Sequence, residues 1–136
     1  MQTMLNCIDN SGAALVECAL VVGQKRHARI GTPSRPSNTR LRTPKLTSQV
    51  TASSSSSRSI SAAAKVKRGD IRHAVVVRTR YPTQRRDGSV VRFDDNACVL
   101  LNKSGDPVGS RINGVVGAEL KRKKWSKILS MAPMQA

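Results

Sequence analysis

The apolar residues of this chain come in runs of strand length separated by turn formers, and that punctuation limits the fold more than any other feature. "TMLNCI" and "AALVECALVV" flank "DNSG", in which Asp9, Asn10, Ser11 and Gly12 all favour tight backbone geometry. These residues are expected to form two strands around a longer hairpin loop, buried on at least one face. "KVKRGDIRHAVVVRTR" turns at Gly69-Asp70 and becomes a strand from Ile71. Alternation puts Val75, Val77 and Thr79 on one face and Val76, Arg78 and Arg80 on the other. "NACVLL" reads as a fully buried strand, "NKSGDP" as a turn, "VGSRI" as a further short strand and "NGVVG" as a glycine-flanked loop. Five or six short strands with no long helix predict a small barrel or sandwich. Only the tail, "AELKRKKWSKILSMAP", is helical. Leu120, Trp125, Ile128 and Leu129 make no single stripe, so two short helical turns are expected, with these residues on the barrel and Lys121, Arg122, Lys123 and Lys124 facing out.

A second hairpin is expected at "RRDGSVVRF", residues 85–93. Asp-Gly is a strong signal for a two-residue type I′ turn, which would set Arg86 beside Ser89 and Arg85 beside Val90. Pro82 weakens the far end of this ribbon because it has no N–H to donate. The tip would display Arg85 and Arg86, with Arg92 further down. Guanidiniums fixed on a stiff ribbon suit phosphate oxygens.

The 136 residues fit one domain spanning 1–136, and 24 Lys and Arg against 8 Asp and Glu leave a formal charge of +16. Self-repulsion of that size opposes compaction, so it implies a polyanionic partner, either nucleic acid or an anionic membrane surface. Residues 23–68 hold eleven of the basic residues and no acidic one. Within them, about 32–64 is a Ser- and Pro-rich insertion too poor in apolar residues to build a core. One short edge strand at "KLTSQVTA" is possible in it; the rest reads as a basic arm lying along RNA or as a solvated linker.

Several classes are disfavoured. No window approaches 18 apolar residues, so no membrane span is expected. The N-terminus carries no secretory pattern, and no Arg or Lys precedes Lys25. Cys7, Cys18 and Cys98 lack the spacing of a disulfide framework, and with His27 and His73 far apart they lack that of a zinc site, so no metal or cofactor is expected. An enzyme would need clustered carboxylates or a nucleophile with its base. The one acidic pair, Asp94-Asp95, points to opposite faces if it lies on a strand, and is better read as a turn or as a local partner for arginines. Tyr81, Phe93 and Trp125 are the only aromatic residues. A basic protein short of stacking rings should grip phosphates and the shape of folded RNA. The alternative, a free-standing barrel-type RNA-binding or RNA-chaperone protein, calls for exposed aromatics on a concave face.

The combination "KVKRGD", "AVVVRT" and "RRDGSVVRFDDNACVLLN" resembles the bacterial-type family of large-subunit ribosomal protein L-fourteen. Ala74, Val75 to Val77, Asp87, Gly88, Phe93, Asn96, Val99 and Leu100 satisfy its central motif. "TMLNCIDNSGA" is similar to the family's start and "GSRINGVV" with "AELKRKKWSKILSMAP" to its end. The resemblance covers residues 2 to about 30 and 65 to 133. It implies a mainly β fold: a small five-stranded β-barrel, a projecting β-hairpin ribbon and a short helical C-terminal part. It implies a structural constituent of the large ribosomal subunit, bound to large-subunit rRNA and contributing to the face that meets the small subunit. Lys65, Lys67, Arg68, Arg78, Arg80, Arg85, Arg86 and Arg92 are the expected rRNA contacts. Lys121, Arg122, Lys123 and Lys124 are shared between rRNA and the subunit interface. Further implied partners are an L-nineteen type neighbour, small-subunit rRNA at an intersubunit bridge, and a ribosome-silencing factor on Ser110, Arg111 and Lys127. Between Gly31 and Lys65 the family's regular β segment is missing, so either an insertion displaces a barrel strand or "KLTSQVTA" stands in for it. Extra basic segments are common in organellar members, and fungal mitochondrial ones resemble this chain. The mitochondrial ribosome is therefore the expected location, with the bacterial cytoplasm or a plastid as alternatives.

Overall fold

The structure, a computed structural model, describes residues 3–21, 27–31, 39–42 (backbone only), 66, 70–123 and 125–136. Strand β1 (Thr3–Cys7) pairs antiparallel with β2 (Leu15–Val21), with buried Leu5 opposite buried Val16. Asp9 organises the loop between them. Its Oδ1 accepts the Ser11 N–H (3.1 Å), the Ser11 hydroxyl and the Cys7 thiol (3.1 Å), while Oδ2 accepts the Leu100 N–H (2.9 Å). A residue readable only as a turn former is thus a buried carboxylate that ties the first hairpin to a distant strand.

Strand β3 (Thr39–Arg42) runs antiparallel to both neighbours, with Leu41 opposite Cys18 of β2 and Arg72 of β4 (Ile71–Arg78). Two short strands, β5 (Thr83–Gln84) and β6 (Val90–Val91), form the separate ribbon. Strand β7 (Ala97–Leu101) pairs antiparallel with β4, Val75 opposite Val99, and parallel with β1, Cys7 opposite Cys98. The order β1-β2-β3-β4-β7 closes the expected five-stranded barrel. The closing strand is "TRLR" at 39–42, within the segment expected to be mostly an extended insertion. "KLTSQVTA" and the rest of 32–64 lie outside the described residues.

The core has two parts that share β4 and β7. Leu5, Val16, Ala74, Val76, Cys98 and Leu100, each from a barrel strand, form one cluster and fill the lumen. Val75, Val77, Ala97, Val99 and Leu101 point the other way and meet Ile112, Val116, Leu120, Ile128 and Leu129. Strand β7 is therefore buried on both faces, which is why its sequence is a continuous apolar run. Leu100 and Leu101, both fully buried, each contribute about 1.5–3 kcal/mol of hydrophobic stabilisation.

The outer layer comes from the tail, as expected: a 3-10 helix (Ala118–Lys123), then α1 (Ser126–Met131). Two expectations fail here. "VGSRI" forms no strand, only an isolated bridge from Ile112 to Asp9. The Ser110 and Arg111 N–H groups go instead to the Asn10 side-chain oxygen (2.8 and 3.3 Å), and Gly109 lies so close to Asn10 that a Cβ would come within 2.7 Å of that oxygen. "NGVVG" is not merely a loop. Val115–Val116 forms β8, paired parallel with β9 (Met134–Gln135) at the chain's end.

Candidate nucleic-acid interface

The hairpin tip differs from the expected two-residue turn. The Gly88 N–H donates to the Arg85 carbonyl (3.2 Å) and the Arg85 N–H to the Ser89 carbonyl (2.9 Å), so Arg85 lies opposite Ser89 and Arg86-Asp87-Gly88 form the loop. Gly88 takes a positive φ, 87°, as the closing residue of a three-residue hairpin with a bulge. Asp87 selects this form. Its carboxylate accepts both the N–H (3.0 Å) and the hydroxyl (2.7 Å) of Ser89, and these bonds hold its carboxyl below the usual carboxylate range.

This register turns the two tip arginines apart. Arg86 is exposed, whereas Arg85 is half-buried. Arg85 Nε donates to Glu119 Oε1 (2.5 Å) and Nη2 to the Ala136 carbonyl (2.7 Å). Ala118 N–H also reaches the Ala136 carbonyl (2.8 Å), so Arg85 clamps the hairpin to the 3-10 helix and the chain's end. Lys123 faces inward, contrary to the outward cluster expected for the tail. Its ammonium donates to the Ile30 carbonyl (2.9 Å). Burial lowers its pKa to about 8, with Arg29 pushing the same way and Glu119 against.

Between hairpin and 3-10 helix runs an open groove of about 670 Å³ in which Arg29, Arg85, Arg86, Arg122 and Lys123 meet two acids, Asp87 and Glu119. Four of these five cations come from two segments expected to bind RNA. The fifth, Arg29, carries no local mark that separates it from the other basic residues of 23–68. Its place depends on Ile30 and Gly31 docking between β4 and the 3-10 helix, where the Gly31 N–H donates to the Val76 carbonyl (3.2 Å) and Lys123 to the Ile30 carbonyl (2.9 Å).

The remaining expected residues are spread elsewhere. Arg78 pairs with Asp95 (3.0 Å), which also accepts from Asn6 (3.0 Å), so Asp95 is the local partner for an arginine that the sequence suggested. Arg78 also packs beneath Gly114, where a Cβ would come within 3.0 Å of its guanidinium. Arg80, Arg92 and Lys121 are exposed and make no ion pair with another described residue. Ser110 and Arg111 are exposed on the loop held by Asn10, and Lys127 pairs with Asp106. Lys65, Lys67, Arg68 and Lys124 lie outside the described residues. Among the described residues no group of His, Cys, Asp and Glu could hold a metal ion, and the three thiols are free. Burial pushes the Cys18 thiol up; the Cys98 thiol, beside Cys7 and fully buried, stands well above its ordinary value.

The described residues thus combine a closed barrel with a cationic groove between a hairpin and a short helical tail, an arrangement suited to a nucleic-acid-binding protein. The family described as "Ribosomal protein L14p/L23e" matches residues 1–136, and the chain belongs to it; its members are structural proteins, not enzymes. Two relatives carry the name "Large ribosomal subunit protein uL14m". The one from Neurospora crassa is 71% identical over 136 residues, all of this chain and 98% of its own length. The one from Schizosaccharomyces pombe is 46% identical over 133 residues, 98% of this chain and 95% of its own.

Proposed function

We propose that this protein is a structural constituent of the large subunit of the mitochondrial ribosome and that it binds large-subunit rRNA through Lys and Arg contacts to phosphate. Its ribosomal character follows from its family, and the mitochondrial setting from two fungal relatives whose names carry the mitochondrial suffix. The observation that carries RNA binding is the groove, where five cations from three separated segments converge around two carboxylates. Such a cluster is costly in a free protein and is relieved when phosphates displace small counterions. Arg85 and Lys123 frame the groove, while Arg86 and Arg122 are exposed to meet phosphate. Exposed Arg80 and Arg92 extend the contact surface, and Arg78 acts by holding Asp95. Lys65, Lys67, Arg68, Lys121 and Lys124 add charge to the same role. Ser110, Arg111 and Lys127 form a separate patch for the subunit interface or a silencing factor, and an L-nineteen type protein is a neighbour.

Sedimentation of a mitochondrial lysate containing the tagged full chain tests the assignment. The protein should travel with the large subunit at moderate salt. Recovery only at the top of the gradient would contradict it.

A further inference from the structure

The three aromatic residues of the chain are not equivalent. Phe93 and Trp125 are partly buried against the outer core. Tyr81 is 76% exposed, the highest value among the described large hydrophobic residues. Leaving a phenol ring in water gains nothing for the fold, and its backbone is nonetheless tightly held. The Thr79 hydroxyl donates to the Tyr81 carbonyl (3.0 Å), the Thr79 carbonyl accepts the Phe93 N–H (3.1 Å), and the Arg80 N–H donates to the Asn96 side chain (2.9 Å). Pro82 follows and fixes its own φ.

Opposite stands the exposed ring of His27, its centroid 6.4 Å from that of Tyr81 and tilted by 58°. The rings are splayed rather than face to face, and the notch beside them encloses about 280 Å³. Polar groups of Thr79, Thr83 and Gln84 line it, together with Arg29. Arg29, Thr83 and Gln84 also line the cationic groove, so notch and groove are continuous. One part offers ring faces and amide and hydroxyl groups; the next offers guanidiniums.

We propose that Tyr81 and His27 form a stacking notch for one unpaired nucleobase of RNA, whose flanking phosphates lie in the adjoining arginine groove. Every base has a π-face, so such a notch holds a base without reading its identity closely. Gln84 and Thr83 provide hydrogen bonds to a base edge. Because the Tyr81 backbone is already fixed, little ordering opposes binding. The proposal rests on the RNA-binding reading and extends it from phosphate contact to capture of a single splayed-out base.

The test uses the full-length protein with two probes of equal charge: hexa-adenylate and the same ribose-phosphate hexamer lacking bases. Wild type should bind hexa-adenylate more tightly. Tyr81→Ala should weaken hexa-adenylate by between about 5- and 150-fold, leave the abasic probe unchanged and melt like wild type; Tyr81→Phe should restore the base preference. Equal binding of both probes by wild type, or equal weakening of both by Tyr81→Ala, would overturn the stacking notch while salt-dependent binding still supported the phosphate groove. Failure to bind either probe at low salt would overturn both.

Discussion

Single side chains decide how the charge is used. Arg85 and Arg86 are adjacent and chemically identical, yet the bulged hairpin gives one to Glu119 and the other to solvent. Lys123 shows the cost of burying a cation. With its ammonium against the Ile30 carbonyl and Arg29 nearby, burial lowers its pKa from an ordinary 10.5 to about 8. Between those values the unfolded chain holds more protons than the folded one, so this lysine makes stability rise with pH through that window. Unfolding free energies of wild type and Lys123→Met, measured from pH 7 to 11, should differ by an amount that shifts in favour of wild type above pH 8. The raised Cys18 and Cys98 thiols are common to both proteins and cancel in the difference. Parallel curves would mean that Lys123 is not held in its inward position.

At the scale of elements, the barrel shows how far local pattern reaches. β7 was plain in "ACVLL" because burial on both faces leaves a continuous apolar run. β4 was plain from its valines, and the two-part tail from its broken apolar stripe. β3 was not, since "TRLR" has one aliphatic residue between two arginines and sits in a polar, acid-free segment. It becomes a strand because β2 and β4 supply partners on both sides, a non-local cause. The pairing of β8 with β9 was hidden likewise, because Val115 finds Met134 only after the tail folds back. Of the groove, the hairpin and tail cations could be read from charge; Arg29 and the inward turn of Lys123 could not, because both depend on the non-local docking of Ile30 and Gly31 against β4 and the 3-10 helix. The role of β3 is open to direct trial. A strand flanked on both sides sends each N–H to a neighbour, so Leu41→Pro should leave an unmet ladder group costing about 1–3 kcal/mol, seen as a lower urea midpoint. An unchanged midpoint would remove Thr39–Arg42 from the barrel.

Over the whole molecule, a charge of +16 on 136 residues works against folding and for association with a polyanion. The barrel resolves the conflict spatially. Among the described residues no Lys or Arg is fully buried; Arg72 and Arg78 sit half-buried on β4, and most other described cations lie on the ribbon, the tail and the loops. Four described acids are spent on ion pairs with Arg72, Arg78, Arg85 and Lys127, while Arg80, Arg86, Arg92, Arg111, Lys121 and Arg122 remain exposed.

The central claim, that this surface meets RNA phosphates, is tested most directly by the salt dependence of binding between the full-length protein and a transcript of the large-subunit rRNA. With about four cations engaged, Arg86 and Arg122 of the groove and the exposed Arg80 and Arg92, log K should fall against log salt with a slope of about −3 or steeper. Arg86→Ala should make that slope shallower by about one. An affinity that stays constant from low to moderate salt, in wild type and variant alike, would contradict the account.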